Sequence, residues 1–143
     1  MPRRRGKLPT HGRTPAGSAS GPQASGGGSS GQELARWFAR KAVERKAEDV
    51  LLLDLRGVST VCDFFVLATG LSEAHVWAIA EWLQRDALDV HNVRPWHIEG
   101  RPGDRWILLD YVDWVVHVLH RETRAHYQLE RLWGDAPREP VTS

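Results

Sequence analysis

Residues 106–120 read Trp-Ile-Leu-Leu-Asp-Tyr-Val-Asp-Trp-Val-Val-His-Val-Leu-His, and this stretch decides the fold. Two apolar runs rich in β-branched and aromatic residues flank Asp110-Tyr111-Val112-Asp113, which predicts two strands joined by a tight turn. Ile107-Leu108-Leu109 and Val115-Val116 lack polar alternation, so both strands are expected to be covered on both faces over much of their length. The chain's own helices, another macromolecule, or some of each must supply that cover.

Working outward, two further runs have the same character. Val50 to Leu55 is short and apolar and stops at Arg56-Gly57, while Phe64 to Thr69 stops at Gly70; both read as buried strands. Upstream, Leu34, Phe38 and Ala42 recur every fourth residue with Trp37 beside them, the stripe of an amphipathic helix from Gln32 to about Lys46. Its basic residues alternate with acidic ones at ion-pair spacing (Arg40 with Glu44, Arg45 with Asp49), which describes a solvated face. Ser72 suits a helix N-cap and Glu73 the positive end of a helix dipole, so a second helix is expected to run to about Val90. Asn92 and Pro95 end it. A short strand at Trp96 to Glu99, the turn Gly100-Arg101-Pro102-Gly103-Asp104, and a last helix from about Glu122 to Gly134 complete the order. The expectation is an α/β (α+β) fold: a mixed five-stranded sheet flanked by helices, in the order α-β-β-α-β-β-β-α.

Composition bounds the organisation. Residues 1–31 carry five basic side chains, no acidic one and a Gly/Ser/Pro-rich run, a composition that cannot offset chain entropy by burial. They are expected to form a disordered arm, whose basic residues offer the only place where RNA contact is expected. Residues 32–135 form one domain, and 136–143 a flexible tail. Beyond the arm, 14 basic side chains face 18 acidic ones over residues 32–143, a net charge of −4. That balance disfavours a nucleic-acid-binding domain and suits a basic protein partner. No apolar run reaches membrane-spanning length, and the single Cys62 fits a reducing, cytoplasmic compartment.

Few residues point to chemistry. His117, His120 and His126 fall within ten residues, but no HExxH or Cys/His ligand spacing accompanies them, and His117 alternates with apolar neighbours as a core or interface histidine does. Cys62 has no histidine near it in sequence and reads as a small buried hydrophobe. Gly70-Leu71-Ser72 lies where a phosphate loop could, yet it lacks the Lys and the glycine spacing of one. Asp54, Asp110 and Asp113 could serve a magnesium-dependent nucleotidyltransferase if they clustered in space, although turns select Asp on their own account. Asp110 stands among Trp106, Tyr111 and Trp114, and a charge amid large aromatics is the composition of a protein–protein hot spot. No catalytic group, cofactor or metal site is expected.

Several segments in order then point to a family. Lys46-Ala47-Glu48-Asp49 leading into Val50 to Asp54, Asp63-Phe64-Phe65-Val66, Thr69-Gly70-Leu71-Ser72, Glu99-Gly100, Trp106 to Asp113, Val116-His117-Val118 and Tyr127 to Trp133 together resemble the ribosomal silencing factor (Iojap-like) family, from about Gln32 to Asp135. Val112 stands where the family's Asp-Tyr-Gly-Asp turn has Gly. The resemblance implies a nucleotidyltransferase-like topology without the catalytic motif. It implies a translational repressor that binds the large (50S) ribosomal subunit through ribosomal protein L-fourteen and blocks joining of the small subunit when nutrients run low, with a dimer as the free form. It places the contact surface on Trp106, Leu109 and Asp110, with Tyr111, Asp113 and His117 as neighbours. Replacing Trp106 by Ala or Asp110 by Lys would on this reading weaken ribosome binding and leave the fold largely intact. The competing readings are the magnesium enzyme and a large-subunit assembly factor acting on RNA through the basic arm.

Overall fold

A computed structural model describes residues 27–142. Helix α1 (Gly27–Glu44) is followed by β1 (Glu48–Asp54), β2 (Phe64–Gly70), helix α2 (Glu73–His91), then β3 (His97–Glu99), β4 (Trp106–Asp110) and β5 (Trp114–His120). Two short helices, α3 (Arg121–Tyr127) and α4 (Leu129–Leu132), and strand β6 (Arg138–Pro140) close the chain. The strands form one sheet in the order β3-β4-β5-β2-β1-β6. β2 and β5 run parallel at its centre, from Phe64 opposite Trp114 to Gly70 opposite His120. Every other pair is antiparallel.

The central pair is parallel because α2 carries the chain back across the sheet to β3, and the antiparallel steps β3–β4 and β4–β5 then bring β5 in along the direction of β2. Ser72 starts α2, its Oγ accepting from the His75 N–H at 3.0 Å. Asn92, in the left-handed region at φ 57°, ends it. One stripe of α2 (Val76, Ile79, Ala80, Leu83, Ala87) and one of α1 (Ala35, Phe38, Ala39, Ala42) are buried against Val66, Ile107, Leu109, Val116 and Val118. Each large aliphatic side chain buried there contributes about 1.5–3 kcal/mol. Val76 lies so close to Gly70 that a Cβ on Gly70 would meet its Cγ2 at 2.8 Å and its backbone N at 3.0 Å. Only glycine fits there. The opposite face carries a smaller core of Leu53, Leu67, Trp106, Leu108, Val115 and Leu119, covered by Leu129 of α4 and Ala136.

The mixed α/β class and the order of the first seven elements match the sequence reading, with three corrections. The sheet has six strands, because residues 138–140 of the segment read as a tail pair with Leu51–Leu53 of β1, and Arg36 of α1 binds Glu139 at 2.8 Å. The terminal helix is two helices, since Gln128 takes φ 48° and interrupts the hydrogen bonding. Helix α1 begins at Gly27, inside the stretch assigned to the arm. The rest of the arm lies outside the described residues.

The β4–β5 turn is held locally. Asp110 Oδ1 accepts from the Val112 N–H at 2.8 Å, and the Tyr111 N–H donates to the Trp114 carbonyl at 2.9 Å. Tyr111 and Trp114 stack with centroids 5.2 Å apart and planes 5° from parallel, and both rings lie against Phe38 of α1. Val112 sits between them at φ 75°. A β-branched residue in that region is strained by about 1–3 kcal/mol, while glycine there costs about 0.5–1 kcal/mol of extra unfolded-state entropy.

Val112→Gly is therefore expected to raise the unfolding free energy by about 1 kcal/mol, read as a shift of the urea midpoint at unchanged slope. Burial pushes the Tyr111 hydroxyl above its ordinary range. Because the folded value is raised, the associated stability is full below the unfolded value of about 10 and is lost as pH climbs above it. Wild type should lose stability steeply above about pH 10 while Tyr111→Phe loses less, checked by thermal unfolding across that range.

Candidate partner-binding site

Alternate residues of a strand face opposite sides of a sheet, and this pleat divides the six residues expected to form a contact surface. Trp106 of β4 and His117 of β5 point to the face opposite α1 and α2. The Trp106 Nε1–H donates to His117 Nδ1 at 3.1 Å, which assigns the imidazole proton to Nε2. Leu109 and Tyr111 face the other way, into the core beneath α1. Asp110 is 2% exposed and serves the turn. Asp113 is exposed at the tip, where its carbonyl accepts from the N–H groups of Asp63 and Phe64. The six residues thus do not make one surface, and Leu109 and Tyr111 are core residues.

What the fold does assemble around Trp106 and His117 is a belt of rings across the sheet. Tyr127 of α3 lies 5.3 Å from Trp106 between ring centroids. Trp106 is 5.9 Å from His117, His117 is 4.5 Å from Phe65 of β2, and Phe65 is 5.8 Å from Trp133. Trp106 and His117, at 4% and 1% exposure, form its buried floor. Tyr127 at 43% is the part that solvent reaches most freely, Phe65 and Trp133 are half-buried, and the chain neighbour of Trp133, Leu132, is 72% exposed. An accessible aromatic rim on a rigid, fully packed strand has the make-up of a protein interface core. Replacing Trp106 or Asp110 cannot leave the fold untouched, contrary to the reading from sequence, because both are buried and hydrogen-bonded.

Sequence reasoning passed over Phe65, Tyr127 and Trp133 as site residues, since they join the rings of Trp106 and His117 only in the folded sheet. The density of aromatics in Tyr127 to Trp133 was the available signal. A short helix can place such residues here because His120 caps α3, its Nδ1 accepting from the Glu122 N–H at 3.1 Å, and Arg105 bridges Glu73 of α2 and Glu122 of α3.

The other candidates have structural settings. Asp54 is held by a forked pair of bonds from Arg56 at 2.9 and 2.7 Å, which keeps its carboxyl below the usual range. Among the described residues, no group of three His, Cys, Asp or Glu side chains is placed to hold a metal ion. His126 packs edge-on against Tyr127, and Cys62 is buried. At the Gly70-Leu71-Ser72 turn, the Leu71 N–H donates to His75 Nδ1 at 3.1 Å. With the Ser72 cap, two of the backbone donors a phosphate would need are already used. Among the described residues, no helix is long and apolar enough to cross a membrane.

Comparison with known proteins bears on the chain as a whole. Residues 29–143 match the family described as "Ribosomal silencing factor during starvation". The Ribosomal silencing factor RsfS of Halalkalibacterium halodurans is 43% identical over 108 residues, covering 76% of this chain and 92% of the relative. That of Bacillus subtilis is 44% identical over 94 residues, covering 66% and 79%. A crystal structure of a Bacillus halodurans protein superposes with a TM-score of 0.65 at 40% identity, covering 77% of this chain and 99% of that one. The order of motifs, the sheet they build and these likenesses lead to one conclusion: the chain belongs to the ribosomal silencing factor family.

Proposed function

We propose that this protein is a non-enzymatic repressor of translation, acting in the cytoplasm. It binds the large ribosomal subunit through ribosomal protein L-fourteen and obstructs joining of the small subunit under starvation. Membership of the silencing factor family is the observation that carries the reading, and the physical features of the chain support it. Residues 32–143 carry a net charge of −4, complementary to a basic protein of the ribosome. The belt rimmed by Phe65, Tyr127 and Trp133, with Leu132 next to Trp133 in the chain, supplies apolar anchors, and Trp106 and His117 hold the rings from beneath. About 800 Å² on each partner suffices for specific binding, and obstruction needs only that the bound domain overlap the small subunit's footprint. When free, the same surface would be covered by pairing with a second copy.

Two classes of variant separate grip from scaffold. Leu132→Glu alters a largely exposed position, where substitutions usually shift stability by no more than about 0.5 kcal/mol. Tyr127→Glu also removes the ring contact with Trp106 that helps seat α3, so its unfolding midpoint is measured beside its binding. They should abolish co-sedimentation with purified large subunits and restore subunit association in a sucrose gradient. Trp106→Ala removes a buried indole and should cost about 3–5 kcal/mol of stability, seen first as a lower unfolding midpoint. If the two rim variants still co-sediment as wild type does, the proposed surface is wrong.

A further inference from the structure

A second recess lies beside the belt, at the end of the sheet where β1 and β2 meet α3, α4 and the last residues of the chain. It is an open cleft of about 680 Å³, within the size range of small-molecule sites. Its floor is Arg124, a charged side chain that is 91% buried. A guanidinium has five N–H donors. Nε donates to Glu130 Oε2 at 3.3 Å, and Nη1 donates to the Asp49 carbonyl and to Thr69 Oγ1. That accounts for three of the five. Nη2 makes no hydrogen bond to any described residue, and it is not among the polar atoms sealed from solvent. Its two donors are unused among the described residues, and Arg124 lines the cleft.

A purely structural role for Arg124 would predict a closed, fork-to-fork pair with Glu130, the strongest arrangement open to the two groups. The contact is instead a single long bond, and Glu130 Oε1 is sealed from solvent with no partner among the described residues. Two more guanidiniums stand on the cleft wall. Arg121 makes no side-chain hydrogen bond or ion pair with a described residue, and Arg131 makes one bond, to Gln128 Oε1 at 2.8 Å. Three cations against Asp49 and Glu130 give the recess a net positive charge inside a domain whose balance is negative. The apolar part of its lining is Val50, Leu51, Pro140 and Val141.

We propose that this cleft binds a small nucleoside phosphate, its phosphate oxygens taking the unused donors of Arg121, Arg124 and Arg131 and its base lying against the apolar lining. Guanidinium groups match phosphate oxygens two at a time, which a carboxylate-lined pocket could not do. Inorganic phosphate alone would leave most of the volume empty. A nucleic-acid strand is the poorer match, because its phosphates need an exposed basic track and the acidic domain repels a polyanion. The site is distinct from the belt and does not depend on the ribosome reading.

Calorimetric titration of the full chain with GTP and with inorganic pyrophosphate tests the proposal. GTP should bind saturably, pyrophosphate should compete with it, and Arg121→Gln and Arg131→Gln should each weaken GTP binding by on the order of tenfold at unchanged unfolding midpoint. Absence of saturable heat with either probe at millimolar concentration overturns the assignment, as does GTP binding that survives the double substitution. A single-stranded RNA oligomer that binds through these arginines more tightly than GTP would overturn it too, transferring the site to RNA. No ribosome enters the experiment, so failure here leaves the silencing reading standing.

Discussion

The parallel pairing of β2 with β5 is the constraint from which the remaining structure follows. Seven residues of each strand align in register from Phe64 and Trp114 to Gly70 and His120. A parallel pair cannot be closed by a turn, so the chain needs a crossover, and α2 is the element that makes it. The pair also sits at the centre of the sheet with both faces covered, which is why its residues are apolar almost throughout. The one strongly polar side chain inside it, His117, is tolerated because Trp106 donates to its Nδ1; a buried imidazole without such a bond would be costly. Gly70 then permits the close approach of α2 at the point where strand gives way to helix.

The two faces of the sheet are covered unequally. On one side α1 and α2 lay long apolar stripes over the sheet and form the larger core. On the other, α3 and α4 are short, and their packing leaves Tyr127 and Leu132 open to solvent. Helices of seven and four residues have no stability of their own. They hold position through the His120 cap, the contact of Tyr127 with Trp106 and the insertion of Leu129 into the smaller core.

The strands, both long helices and the central hairpin were legible in the sequence because their signals are local: apolar runs bounded by glycine, a four-residue stripe, a serine cap. Strand β6 was not, because Arg138-Glu139-Pro140 has no strand character of its own. It is held at the sheet edge by backbone pairing with β1 and by the Arg36–Glu139 ion pair, and both partners are distant in sequence. Proline is acceptable there because an edge strand does not need every N–H. The candidate site was half legible. The Trp106 segment drew attention to a strand that carries part of the aromatic belt, but neighbours in sequence are not neighbours on a pleated sheet. Leu109 and Tyr111 fell to the wrong face, while Phe65 and Trp133 arrived from other elements.

On the proposed function, the same geometry would let so small a domain act by obstruction. A repressor that blocks a surface must present its anchors without losing entropy when it binds, since each side chain immobilised at an interface costs about 0.5–1.5 kcal/mol. Rings packed edge to ring over a buried Trp106–His117 floor are already restricted before any partner arrives. Flexible, charged side chains on the same face would give attraction at long range but would have to be ordered on contact. On that reading the acidic balance of the domain would steer the encounter with a basic partner, while the preset belt would set how long the complex lasts. Those two tasks fall to different residues, so removing a surface carboxylate should slow association and truncating a ring should hasten release.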